Sequence, residues 1–310
     1  MDVRVVYMVW QPILNNKAMK RIKVLKTYKI YIGGKFPRTE SGRFYKALNT
    51  SGIPIANICK SSRKDIRNAV VAARESQGSW QERTAFNRGQ ILYRIAEILE
   101  GRRSQFIEEL MLQDVSKKEA QIEIDDCIDR IVYYAGWCDK FNQVASSVNP
   151  VSSSHFNFSS YESTGVVGII APEPSSLLGL ISMLLPVIAG GNSVVLIASE
   201  SKPLCAVTLA EVLNSSDVPA GVVNILTGQV SELWSPLSSH MDVNAISVCS
   251  KSAHIKEIQL ASAENLKRVR TYADSWGVRE QQGIQYITDF QELKTTWHPI
   301  ENIGGSSNSY

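Results

Sequence analysis

Gly165-Val166-Val167-Gly168-Ile169-Ile170-Ala171-Pro172 holds an apolar run, Val166 to Ile170, that no charged or polar residue interrupts. A strand with one wet face alternates polar and apolar residues. An unbroken run is expected of a strand covered on both faces. The chain repeats this rhythm downstream. Leu177 to Ile188 reads as a helix, with Pro186 expected to kink or end it, and Ser193 to Ile197 reads as the next buried strand. Ser201, a good N-cap residue, is predicted to open a helix through Leu213. Val222 to Leu226 and Ala245 to Val248 are further strands, with Gly228 closing the loop after the first of these. Ser252 is predicted to start a helix toward Ala263, and Arg268 to Tyr272 reads as a fifth strand. Strands alternating with helices imply right-handed crossovers and a doubly wound α/β fold with a parallel sheet. Such sheets bind ligands at the carboxyl ends of their strands. The segments after Ile170, Ile197, Leu226 and Val248 are therefore where a site is sought.

Upstream the patterning is different. Ile30 to Phe36 reads as strand, Gly33-Gly34 turn and return strand, and Lys46 to Ile58 as an extended pair turning at Ser51-Gly52. Ile66, Ala69, Val70 and Ala73 form a helical stripe, and Ile91, Ile95, Ile98 and Leu99 a second. Gly101, Arg102 and Arg103 suit the end of that second helix. Ile124, Ile128, Ile131, Ala135 and Cys138 form a third stripe on a long helix starting near Ser116. On such a stripe Cys127 and Cys138 read as core residues. Beyond Gly283, Gln285 to Ile300 reads as a lone strand of the kind that completes a sheet elsewhere, within the chain or in another subunit.

The chain has 310 residues, 44% hydrophobic and 20% charged, which suffices for a core without staples. A net charge of +3 argues against a nucleic-acid surface. The cysteines, Cys59, Cys127, Cys138, Cys205 and Cys249, show no CxxC spacing. They fit reduced thiols in a cytoplasmic protein better than a disulfide framework. The apolar run Leu177 to Ala189 is too short to span a bilayer. Residues 1–26, with Lys17, Lys20, Arg21, Lys23 and Lys26, read as a solvated, poorly ordered tail rather than a membrane or nucleic-acid arm. No metal-ligand spacing stands out, and neither a membrane nor a nucleic acid is an expected partner.

Three consecutive motifs carry a resemblance. They are Gly165 to Pro172, then Leu185-Pro186-Val187-Ile188-Ala189-Gly190-Gly191-Asn192-Ser193-Val194-Val195-Leu196, then Val218-Pro219-Ala220-Gly221-Val222-Val223-Asn224-Ile225-Leu226-Thr227-Gly228. Asn265-Leu266-Lys267-Arg268-Val269 and, upstream, Tyr31-Ile32-Gly33-Gly34-Lys35 extend it. Together they resemble the cofactor domain of the aldehyde dehydrogenases over roughly residues 27 to 300. Lys64-Asp65-Ile66-Arg67-Asn68-Ala69-Val70, and a direct passage to Leu293-Lys294-Thr295-Thr296-Trp297-His298-Pro299-Ile300, look most like the truncated second domain of family 16 aldehyde dehydrogenases. Full-length members of that family carry this domain behind a complete one; here it is expected to stand alone. The resemblance divides the chain into residues 27–283 as the cofactor-binding domain and 284–310 as a C-terminal strand and tail. The catalytic domain is absent, and in the family the C-terminal strand takes part in dimer contacts.

Aldehyde oxidation needs a thiolate nucleophile, an oxyanion donor, a base and a nicotinamide. The family's oxyanion donor is an Asn whose position here is Pro174, which has neither a side-chain donor nor a backbone N–H. Losing one such donor costs about 10²–10³ in rate. The position of the family's base is Tyr272, and tyrosine titrates near about pH 10. Glu264 and Asp274 are close in sequence but read as solvated ends. The nucleophile belongs to a long segment that this chain lacks after Tyr272. Cys249 reads as a small residue closing a strand; Lys251 beside it could favour its thiolate.

The cofactor positions are eroded too. Ile197 replaces the Lys that bonds the adenosine ribose, while the acidic partner is retained as Glu200. Cys249-Ser250-Lys251-Ser252 replaces a Thr-Gly-Ser turn beside the pyrophosphate, so Ser250 puts a side chain where glycine allowed close approach. Glu173 would oppose a pyrophosphate. Ile170, Pro172, Glu200 and Ser250 thus mark a vestigial cofactor site, with no cofactor expected, or NAD or NADP held at most weakly. The resemblance implies a pseudoenzyme that associates with a protein partner or with itself through the C-terminal strand. The alternatives are an NAD(P)-dependent aldehyde oxidoreductase completed by a partner subunit, and a residual nucleotide sensor.

Overall fold

The computed structural model describes residues 22, 24–173, 175–249, 252–273, 276 and 282–300. The tail expected before residue 22 lies outside them, as do Pro174, Ser250, Lys251 and Asp274.

The extended pair predicted around Ser51-Gly52 belongs to a small sheet. β1 (Thr27–Tyr28) runs parallel to β3 (Pro54–Cys59), and β2 (Phe44–Leu48) runs antiparallel to β3. The turn closes where Gly52 donates to the Asn49 carbonyl at 2.9 Å, with Gly52 in a left-handed conformation. The segment from Ile30 forms a bridge rather than two strands. Tyr31 and Ile225 exchange backbone hydrogen bonds at 2.8 Å, and Ile32 and Lys35 bracket the Gly33-Gly34 turn.

Four helices follow: α1 (Arg63–Gln81), α2 (Ala85–Gly101), α3 (Arg103–Leu112) and α4 (Lys117–Trp137). The expected helix end at Gly101 is present, but a new helix starts two residues later. Arg102 leaves the helical region (φ −107°, ψ 12°) and turns the chain from α2 into α3. Ser116 caps α4 as predicted: its hydroxyl accepts from the Glu119 N–H at 3.3 Å, and the Glu119 carboxylate accepts from the Ser116 N–H at 3.2 Å. After α5 (Phe141–Ala145), β4 (Ser147–Asn149) and β5 (His155–Ser163) form an antiparallel pair.

The parallel sheet contains β6 (Val166–Ile170), β7 (Ser193–Ile197), β8 (Val223–Leu226), β9 (Ala245–Cys249) and β10 (Arg268–Tyr272). Its spatial order is β10-β9-β6-β7-β8. The crossover helices are α6 (Leu178–Ala189), α7 (Leu204–Asn214), α8 (Val230–Ser238) and α9 (Ile255–Ala263). Every residue of β6, β7, β8 and β9 is buried, including the polar Ser193, Asn224 and Ser247. Val167, Ile169, Val194 and Leu196 face a core shared with α2, α4, α6 and α7. Val166, Ile170, Val195 and Ile197 face a second core with α1 and α8.

Several local expectations need correction. Pro186 does not end α6, which continues to Ala189, because α6 is buried along its whole length and Gly190 donates back to the Pro186 carbonyl at 3.2 Å. Ser201 does not cap α7; the cap position is Pro203, because the Ser201 amide and hydroxyl are both bonded to Glu173. Ser252 lies in a turn, donating to the Cys249 carbonyl at 3.0 Å, and α9 begins at Ile255.

The C-terminal strand finds its partner within the chain. After α10 (Gln285–Thr288), β11 (Gln291–Pro299) pairs antiparallel with β5 over nine residue pairs, from Gln291 opposite Ser163 to Pro299 opposite His155. Its start is fixed by the core: Asn192 Nδ2 donates to the Phe290 carbonyl at 3.0 Å, and Gln291 Nε2 donates to the Gly190 carbonyl at 3.1 Å.

Candidate functional site

The strand order reverses direction at β6. The chain proceeds from β6 to β7 and β8 on one side, then returns to place β9 on the other. Crevices form outside the carboxyl ends of strands at such a switch point. A cleft of about 680 Å³ opens there. Ile170, Ala171, Pro172 and Glu173 line it from β6, Glu200 and Ser201 from β7, and Val248, Cys249, Ala253 and His254 from β9. Val230 and Ser231 at the start of α8 close one end, and Tyr45 to Leu48 of β2 form the opposite wall.

Three of the four residues expected to mark a vestigial cofactor site, Ile170, Pro172 and Glu200, line one cleft; Ser250 is outside the described residues. Ile197 does not reach it: its side chain is fully buried against the second core. Glu200 lines the cleft, but its carboxylate accepts from the Val230 N–H at 3.2 Å, at the start of α8. It thus satisfies an orphan donor of the first helical turn.

Glu173 is the most heavily bonded carboxylate in the cleft. Its oxygens accept from the Glu200 N–H at 3.1 Å and from the Ser201 N–H, the Ser201 hydroxyl and the Ser199 hydroxyl, each at 3.0 Å. The Tyr45 hydroxyl, which donates to the Glu200 carbonyl at 3.3 Å, has its pKa raised by burial and then by the charges of Glu200 and Glu173. At the α8–α9 end, Trp234 stacks on His254 with ring centroids 5.4 Å apart. The sequence reading missed both α8 and this stack; Leu233 and Leu237, one helical turn apart and both buried, were the available signal.

The residue at the base position has a different role. Tyr272 ends β10, and its hydroxyl donates to Asp289 Oδ2 at 2.8 Å. Burial, then the adjacent Asp289 charge, holds its pKa far above the ordinary value. Its ring packs with Tyr286 at 5.0 Å, Trp276 at 6.1 Å and Phe290 at 6.5 Å. A Cβ on Gly179 would come within 2.4 Å of Pro172 and 2.9 Å of the Trp276 ring, so the glycine makes room for both rings. This aromatic cluster was not read from the sequence, because its members are separated by chain whose structure no local pattern announces.

Three of the thiols, those of Cys127, Cys138 and Cys205, are held in the neutral form by burial. All five cysteines are buried. Burial pushes the Cys127 and Cys205 thiols well up and the Cys138 thiol to about 12. Cys249 lines the cleft, and its Sγ lies 3.9 Å from Met183 Sδ. Among the described residues, no group of three or more His, Cys, Asp or Glu side chains could hold a metal ion, and no helix is long and apolar enough to cross a membrane.

The parallel sheet, its helices and the cleft at the switch point define a doubly wound α/β architecture. Residues 38–272 match the aldehyde dehydrogenase family, and the chain belongs to it. The putative aldehyde dehydrogenase DhaS of Bacillus subtilis (strain 168) is 30% identical over 267 residues, covering 83% of this chain and 53% of the relative. Cytosolic aldehyde dehydrogenase 1 of Elephantulus edwardii is 31% identical over 258 residues, covering 81% and 51%. The NAD+ complex of the Bacillus cereus aldehyde dehydrogenase superposes with a TM-score of 0.74 at 27% identity, covering 79% of this chain and 50% of that one. The chain thus spans about half the length of these relatives.

Proposed function

We propose that this chain is a non-catalytic member of the aldehyde dehydrogenase family that acts by protein association, through the sheet formed by β4, β5 and β11. The observation that carries this reading is the exposure of that sheet. Side chains alternate faces along a strand, so the register puts Trp297 and Leu293 on one face and Phe156 and Val148 on the other. All four are exposed, from 46% for Phe156 to 66% for Val148. Both β11 and β4 are edge strands. A small sheet with apolar residues on both faces and two open edges is the kind of surface that partners cover.

The catalytic positions support the same reading. Tyr272 is bonded to Asp289 inside an aromatic cluster, and Pro174 stands at the oxyanion position. Residues 273–284 alone link β10 to α10. The cleft residues do not fit a dinucleotide well: Ile197 is buried in the core, and the Glu200 carboxylate holds α8. NAD or NADP is bound at most weakly in this reading, and the cytoplasm is the proposed location.

A second reading, an NAD(P)-dependent aldehyde oxidoreductase completed by a partner subunit, draws on the position of Cys249 in the cleft. NADH production from an aldehyde series separates the two, with Cys249→Ala as control. The expected outcome is no NADH above background from either protein. Activity in the unmodified chain that disappears in Cys249→Ala would overturn the non-catalytic reading. Calorimetry with NAD and NADP tests the third reading, a nucleotide sensor, which an absence of heat would dispose of.

A further inference from the structure

The cleft at the carboxyl ends of β6 and β7 already contains an anion belonging to the chain itself. The loop after β7 offers two backbone N–H groups, of Glu200 and Ser201, and two hydroxyls, of Ser199 and Ser201. Backbone N–H groups and hydroxyls of this kind are donors to which phosphate oxygens bond. Here both amides converge on the carboxylate of Glu173, and each hydroxyl lies between that carboxylate and the Glu173 backbone carbonyl, which is 2.9 Å from the Ser199 oxygen and 3.1 Å from the Ser201 oxygen. The tether is short, because Glu173 follows Pro172 at the end of β6, and β6 and β7 are hydrogen-bonded neighbours. Glu200 places a second carboxylate on the same rim. Against them the described lining residues set one ammonium group, Lys46, while the residue closing β7, Ile197, carries no charge and is buried.

We propose that Glu173 is a specificity determinant that turns this cleft against phosphate-bearing ligands. It occupies the donors that a phosphate would use, and it presents a negative charge to any ligand that carries one. The apolar part of the cleft, from Ile170, Pro172, Val230 and Val248, is untouched by either effect. An uncharged nucleoside and its diphosphate should therefore respond differently to Glu173. This inference rests on the reading that the cleft has left the family's cofactor chemistry.

The test is calorimetric titration of the full chain and of Glu173→Gln and Glu173→Ser with ADP and with adenosine. Glu173 is exposed, so both variants should fold, and circular dichroism melts verify it. Removing one unit charge close to a diphosphate should raise ADP affinity by about tenfold or more at low salt, while adenosine affinity changes by less than about twofold. The gain should shrink as salt is added, since screening weakens exposed charges. ADP affinity that stays unchanged or undetectable in both variants would overturn the proposal. So would an equal rise for adenosine, which would mean that the variants merely enlarge the cleft. Neither result bears on catalysis: the non-catalytic reading fails only if the unmodified chain produces NADH from aldehydes.

Discussion

Glu109 illustrates how one buried carboxylate can set the pH response of the chain. It lies in α3, and one of its oxygens accepts from the Tyr28 hydroxyl and the Thr208 hydroxyl, both at 2.7 Å. The other is buried without a hydrogen-bond partner, and Lys26 stands 3.7 Å from the carboxylate. Desolvation outweighs these contacts and raises the pKa of Glu109 above 4.5. A carboxyl group with a raised folded-state value binds its proton more tightly when folded. Its contribution to stability is therefore complete below pH 4.5 and is lost as pH rises through the folded value. Compared with Glu109→Gln, the wild-type chain should gain stability on acidification across that window, by at most about 1.4 kcal/mol per pH unit. Urea denaturation at a series of pH values measures the difference. A difference that stays flat with pH would show that Glu109 titrates normally.

At the scale of elements, Asp65 shows what a helix start can hold together. It lies in the first turn of α1 and is 2% exposed. One oxygen accepts from the Ser62 N–H at 2.7 Å and the Ser62 hydroxyl at 2.8 Å; the other accepts from the Glu40 N–H at 3.0 Å. It therefore joins α1 to the loop before β2. Asp65→Ala would leave these donors without their acceptor and should cost about 2 kcal/mol, read from the denaturation midpoint. Elements such as α1 were legible in sequence because local pattern and burial agree: Ile66, Ala69, Val70 and Ala73 are all fully buried. The central strands were legible for the same reason. What local pattern could not show was competition for a group at long range. Ser201 has the chemistry of a cap, but Glu173, 28 residues earlier, takes its donors. Pro186 has the chemistry of a helix breaker, but tertiary burial holds α6 around it. In the cleft, Glu200 was identified from its motif, yet its bond to α8 depended on a helix the reading had not found.

At the scale of the molecule, the exposed three-stranded sheet should govern assembly. Replacing Trp297 and Phe156 together with Asp puts a charge on each face. The double variant is expected to run at a smaller mass than the unmodified chain in size-exclusion chromatography with light scattering. Its melting temperature at high dilution should change little, because both side chains are exposed and outside the cores. Identical masses for the two proteins across a wide concentration range would remove this sheet from any self-association.

The pairing of β11 with β5 also has a consequence in time. The first residue of β11 is Gln291 and the last of β5 is Ser163, with the whole parallel sheet encoded between them. At typical synthesis rates a ribosome takes about 6–25 s to cover that interval. Throughout it, β5 has been made but its later neighbour has not, so one edge of β5 stays open on the nascent chain. That interval is when another polypeptide, a chaperone or a neighbouring nascent copy, can reach the strand first.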